Sequence, residues 1–178
     1  MALQVARFVN LLLAALVAGI LVAVWLLERA LHELSGATYT AVHQPMARTF
    51  GTAMPLLVIP AAASGLAVLL LLARAARTRA GAAVACGVLC SVVVALVSAL
   101  GDVPINRAVL GWSIQAPPAD WAQIRDRWVA WHGLRTACAI AALCCYLVGA
   151  LAPLPRRVER PGERAASAGP ARPTATVR

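Results

Sequence analysis

The residues able to do chemistry in this chain are few, and their spacing ties them together. Trp121, Arg125, Trp128, His132 and Arg135 recur at intervals of four, three, four and three, which on an α-helix is one continuous stripe. The lower end of the stripe enters a long apolar run, where an arginine facing lipid costs about 2.5–3.5 kcal/mol to insert. His132 and Arg135 are therefore expected to point into a protein interior or an interface. An ionisable pair at membrane depth marks a functional candidate. Trp112 and Trp121 alone fit an ordinary interfacial aromatic belt equally well. Two further groups carry compatible chemistry: Asp102, Asn106 and Arg107 in one segment, and Tyr39, His43 and Arg48 in another. Glu28 and His32, four apart, would share a helix face and could share a proton or a metal, with a solvated ion pair as the plainer reading.

Four apolar runs must position these groups. They extend over about 8–27, 54–72, 82–100 and 134–151, each close to the ~20 residues a helix needs to cross the hydrocarbon core. With 61% hydrophobic and 13% charged residues, the chain departs from a soluble domain, where charged residues make up about 25%. The expected fold is all-α: a four-helix transmembrane bundle over residues 1–152, with a short outer helical cap. The Pro-, Arg- and Gly-rich residues 153–178 read as a disordered tail. The first run is longer than the roughly 7–15 residues of a signal peptide's apolar core, so an uncleaved helix is expected. Small residues at four-residue spacing, Ala83, Gly87, Ser91, Ala95 and Ala99 in the third run and Ala15, Gly19 and Ala23 in the first, should face neighbouring helices. Pro60 should bend the second. Asp120 should cap the helix that starts at Trp121.

The net charge of +9 comes entirely from arginine. Arg74, Arg77 and Arg79 cluster between the second and third runs, and six arginines lie in the tail. That distribution is topological charge rather than a nucleic-acid surface, and by the positive-inside rule it puts both termini in the cytoplasm of a multi-pass cell-membrane protein. All three histidines and five of the seven carboxylates then fall on the outer face. The five cysteines lie within apolar runs and form no disulfide framework of the secreted kind. Cys86 and Cys90 could suit a soft metal, but small buried thiols packing like alanine are the simpler reading.

Asn106 follows the end of one span, His43 precedes another, and His132 and Arg135 begin a third. All are at similar depth, where polar groups are best satisfied by one another. Tyr39, His43, Asn106, Trp128, His132 and Arg135 should therefore converge, with Arg135 donating to Asn106, Asp102 or a backbone carbonyl.

The ordered pieces Tyr39…Val42-His43-Gln44…Met54-Pro55, then Asp102-Val103-Pro104-Ile105-Asn106, then Asp120-Trp121…Arg127-Trp128…His132…Arg135-Thr136 resemble the anthrone oxygenase-like membrane proteins over roughly 8–152. Asn106 matches that pattern, whereas Asp102 stands where the family usually has Asn. The resemblance implies oxidation of an anthrone-type polyketide, or a similar apolar aromatic molecule, by O2 without an obligatory metal or organic cofactor. On it, His43 or His132 is the base that deprotonates the acidic methylene. Arg135, Asn106 and an indole N–H stabilise the oxyanion. Tyr39, Trp112, Trp121, Trp128 and Asp102 contact the substrate.

Two other readings stay open. His32, His43 and His132 with Glu28 or Asp102 offer ligands for copper, iron or zinc in a metal-dependent oxidoreductase, although no two histidines share a tight spacing. Alternatively, the polar cap merely packs, and the protein is a non-enzymatic, small-molecule-binding or accessory membrane protein.

Overall fold

Four residues separate the first two helices, α1 (Ala2–Leu31) and α2 (Gly36–Leu71). The break is made by Ser35, which is extended and whose hydroxyl accepts the Thr38 N–H and caps α2. A second hydroxyl cap, Thr78, accepts the Gly81 N–H and starts α3 (Arg79–Val97). The chain passes without a break through a π-helical segment, Ser98–Asp102, into α4 (Val103–Leu110). After a loop, α5 runs Trp121–Leu151. Asp120 occupies the N-cap position as expected, but its side chain makes no capping hydrogen bond. The structure, a computed structural model, describes residues 1–72 and 78–152. The tail expected at 153–178 and the arginines Arg74 and Arg77 lie outside them.

Four helical stretches are long and apolar enough to cross a bilayer: Ala2–Leu31, Gly36–Leu71, Arg79–Leu110 and Trp121–Leu151. All-helical backbone is the form lipid permits, because each peptide group is satisfied within its own segment. The helices reach well past the apolar runs. Residues 28–52, expected as an outer connection, are almost wholly helical, so α2 has 36 residues. At 1.5 Å per residue that is roughly 54 Å, beyond a ~30 Å hydrocarbon core. Pro45, Pro55 and Pro60 all lie inside α2, which continues through each of them.

α1 packs on α2 and α5, and α3 packs on α5 and α2, so α2 and α5 stand diagonally across the bundle. Large apolar side chains such as Phe8, Leu12, Ile59, Leu89 and Leu147 face outward, while Asn10, Glu28, His43, Asp102, His132 and Arg135 are buried. One end is closed by Arg7 donating to the Gly149 carbonyl at 3.2 Å. The polar cluster occupies the other end.

The small-residue stripes are partly as expected. Gly87 and Gly65 flank the Tyr146 ring from α3 and α2, and Tyr146 shares a 2.9 Å hydrogen bond with Ser91. Ala95 and Ala99 are instead exposed, and so is the whole Ala15, Gly19 and Ala23 stripe. In α1 the inward series is Ala14, Val17, Ala18, Leu21, Val24, Glu28 and Leu31, offset by one residue from the alanine–glycine stripe. A Cβ on Gly87 would meet Tyr146 Cε1 at 2.7 Å, whereas one on Gly19 would meet nothing within 4 Å. Gly87→Leu is therefore expected to destabilise the bundle by about 1–3 kcal/mol through overpacking, and Gly19→Leu to leave it unchanged. Thermal unfolding in detergent checks both; equal melting of the two variants would show that the Tyr146 slot is loose.

Candidate active site

The α5 stripe lands as its spacing requires. Arg125, Trp128, His132 and Arg135 are all buried on the inward face, continued by Thr136, Ala139 and Ala142. Above them, Arg125 donates to the His32 carbonyl at 2.9 Å and ties α5 to the end of α1. Its guanidinium lies over the Trp121 ring, 5.0 Å from the centroid. Gln44 fixes the third wall: its amide donates to the Val109 and Trp112 carbonyls, both at 3.0 Å, and clamps the end of α4 to α2.

His132 is fully committed. Arg135 approaches its Nδ1 with Nε at 3.1 Å and Nη2 at 2.7 Å, and its Nε2 lies 2.9 Å from the Leu21 carbonyl oxygen. A guanidinium only donates and a carbonyl only accepts. The ring is thus a neutral imidazole carrying its proton on Nε2, and neither nitrogen is left for a ligand. Arg135 also donates to Ser98 Oγ at 3.3 Å. Its Nε lies 3.0 Å from Asp102 Oδ2. Because that N–H is aimed at His132, the ion pair forms without an aligned hydrogen bond, and both Asp102 oxygens lack a hydrogen-bond donor.

His43 is held differently. Its Nδ1 lies 3.2 Å from Glu28 Oε1 and its Nε2 lies 3.1 Å from Asn106 Oδ1. Glu28 is 2% exposed, and its second oxygen has no partner. Tyr39 stacks on the His43 ring at 5.0 Å, and Trp128 meets it edge-on at 5.0 Å while stacking on His132 at 4.7 Å. Two helices, α2 and α5, and the α4 extension thus bring Tyr39, His43, Asn106, Trp128, His132 and Arg135 into one connected group.

A narrow pocket of about 30 Å³, room for a water or two, opens beside them, so a larger ligand enters only as its lining side chains move aside. His43, Asn106, Trp128, His132 and Arg135 form its polar wall, and Leu21, Val24, Met46, Phe50 and Met54 its apolar one. Trp128 contributes a buried indole N–H without a partner. Trp112 and Trp121 do not line this pocket: Trp121 packs against Tyr39 at 5.8 Å above it, and Trp112 lies in the loop after α4. Asp102 lies behind Arg135 rather than in the pocket wall. The Glu28–His32 pairing is not made, since Glu28 turns inward to His43 and His32 is exposed.

Glu28 is the residue that spacing alone assigned to the wrong neighbour. A carboxylate in register with Leu21, Val24 and Leu31, on the inward face of α1, was the available signal. Among the described residues, no three His, Cys, Asp or Glu side chains gather where they could hold a metal ion. The donor set sketched for a metal does not assemble, because His32 is outside and His132 is spent on Arg135 and Leu21. All five cysteines are free thiols.

No curated protein and no solved structure matches the chain. Residues 46–145, which include Asn106, Trp128, His132 and Arg135 and more than half of the sequence, match the family described as anthrone oxygenase, and the protein belongs to that family.

Proposed function

We propose that the protein is a membrane-embedded oxygenase that converts an anthrone-type aromatic substrate to the corresponding quinone, with His43 as the base. The observation that carries this reading is a histidine at the pocket wall, backed on Nδ1 by a buried carboxylate and facing an amide on Nε2. With Glu28 ionised and holding the Nδ1 proton, Nε2 is a lone pair. Rotation of the Asn106 amide turns its NH2 toward that lone pair, and a substrate C–H that displaces the amide meets a base oriented for it. Glu28 is a positioning residue: it fixes the tautomer and stabilises the imidazolium that forms.

An anthrone methylene is acidified by two flanking rings and a conjugated carbonyl. Its proton passes to His43 and leaves an electron-rich anion whose charge rests on the ketone oxygen. Arg135, the Asn106 amide and the Trp128 indole N–H are the donors available for that oxygen. The anion adds O2 at the former methylene carbon, the imidazolium proton converts the peroxide anion to a hydroperoxide, and loss of water leaves the second ketone. One O2 is consumed and one water released per substrate, with no external electron donor.

The arginine distribution supports an orientation with both termini cytoplasmic and the site on the outer side. Reporter fusions after residues 79 and 115 should read inside and outside; the reverse pattern would move the site to the cytoplasm. The test of function is oxygen uptake by proteoliposomes supplied with anthrone. Stoichiometric uptake with anthraquinone formation is expected. No uptake above protein-free liposomes, across a panel of hydroxylated anthrones, would leave a binding protein rather than an enzyme.

A further inference from the structure

A second cavity of about 300 Å³ lies on the flank of the bundle, between α2 and the continuous helix formed by α3, the π-helical segment and α4. Its rim is made of exposed Gly51, Pro55, Ile59, Ala95 and Ala99. Four of these are small or compact, and with no bulky side chain at Gly51, Ala95 or Ala99 the two helices leave a slot open toward the lipid. This accounts for the C-terminal half of the third-run small-residue stripe, Ala95 and Ala99, being exposed.

The inner end of the slot is polar. Asp102, at 0% exposure, lines it beside Asn106 and Arg135, and no hydrogen bond satisfies either of its oxygens. Its charged neighbour is Arg135, whose Nε lies 3.0 Å from Oδ2 without an aligned hydrogen bond, and buried carboxylate oxygens that accept no hydrogen bond leave room for a further donor. Phe50, Met54, Asn106 and Arg135 line both this slot and the inner pocket, so the two cavities are separated by side chains rather than by backbone.

We propose that this slot is a lateral portal and docking site for a flat, lipid-dissolved aromatic ketone bearing a phenolic hydroxyl, which passes Phe50 and Met54 to reach His43. The apolar flanks take the ring face, the hydroxyl donates to Asp102, and the ketone accepts from Arg135 or Asn106. The choice of ligand rests on the oxygenase reading of the inner pocket; the route does not require turnover to be seen.

Benzophenone, a bilayer-soluble aromatic ketone that inserts into nearby C–H bonds under near-ultraviolet light, probes the slot directly. Proteoliposomes containing it are irradiated and the adducts mapped by mass spectrometry. Adducts concentrated on Phe50, Met54 and Val58 are expected, with 4-hydroxybenzophenone labelling the same residues at lower concentration. Ala95→Trp, or Ala99→Phe as an independent plug, should reduce them to the level of lipid-facing Leu12 and Leu147. Ala15→Trp, on an exposed face of α1, should not. Both plugged positions are exposed, and unchanged melting temperatures confirm that the fold is kept. Labels spread evenly over the outward leucines, or undiminished at Met54 in both folded plugs, would overturn the portal. Slot labelling in a protein that consumes no oxygen would refute the oxygenase reading alone, and even labelling of an active enzyme would refute the portal alone.

Discussion

Proteoliposomes carrying His43→Gln are expected to lose oxygen uptake on an anthrone by about 10²- to 10⁴-fold, the usual contribution of a positioned general base. Glutamine is chosen because its amide can still meet both Glu28 and Asn106, so that the buried carboxylate keeps a partner and the bundle keeps its stability. The loss should fall on kcat, since the apolar wall that binds the ring system is untouched. Glu28→Gln should lower kcat more mildly at constant KM, with Glu28→Asp recovering part of it, because that side chain orients the imidazole without touching substrate. His132→Gln separates the two histidines. Both nitrogens of His132 are bonded within the protein, and its loss should register first as a lowered melting temperature. Full turnover by a folded His43→Gln enzyme would rule out this base.

Arg135→Met should be the most destabilising single change at the site, costing about 3–5 kcal/mol, as expected when one partner of a buried ion pair is removed. The guanidinium satisfies His132 Nδ1 twice and Ser98 once, and it is the cation nearest the Asp102 carboxylate. Methionine fills a similar volume but leaves Asp102 charged and enclosed. Adding Asp102→Asn to the same chain removes that charge and should recover part of the loss, with a coupling of roughly 0.5–3 kcal/mol between the two positions. Denaturant unfolding of the four proteins in detergent measures it. Strict additivity would mean that the 3.0 Å approach contributes nothing to stability.

The α5 stripe was legible from sequence because its residues lie on one helix, where period alone assigns a face. Convergence of His43, Asn106 and His132 was legible for a different reason: each adjoins an end of an apolar run, so depth in the membrane stood in for distance. Glu28 was not, because a histidine four residues on offered a local partner. The inward phase of α1 favours a partner from another helix. The extent of α2 was hidden by Pro45 and by polar residues that a long helix can carry once it has left the hydrocarbon. The outward Ala15–Ala23 stripe misled because small residues allow close packing without demanding it. The slot could not be read at all, since it exists only where two helices fail to touch.

The π-helical segment carries a last implication. A π-bulge amounts to one residue inserted into an α-helix, and each residue turns the helix by about 100°. Before the insertion, α3 rests chiefly on α5; after it, α4 rests on α2. The insertion is a change of phase that lets one continuous rod serve two neighbours, and it is what turns Asn106 toward His43. Chain length between Val97 and Asn106 is therefore under as strict a constraint as any side chain at the site. A natural or engineered sequence one residue shorter there would keep every functional group and still have Asn106 facing away from the histidine it is meant to meet.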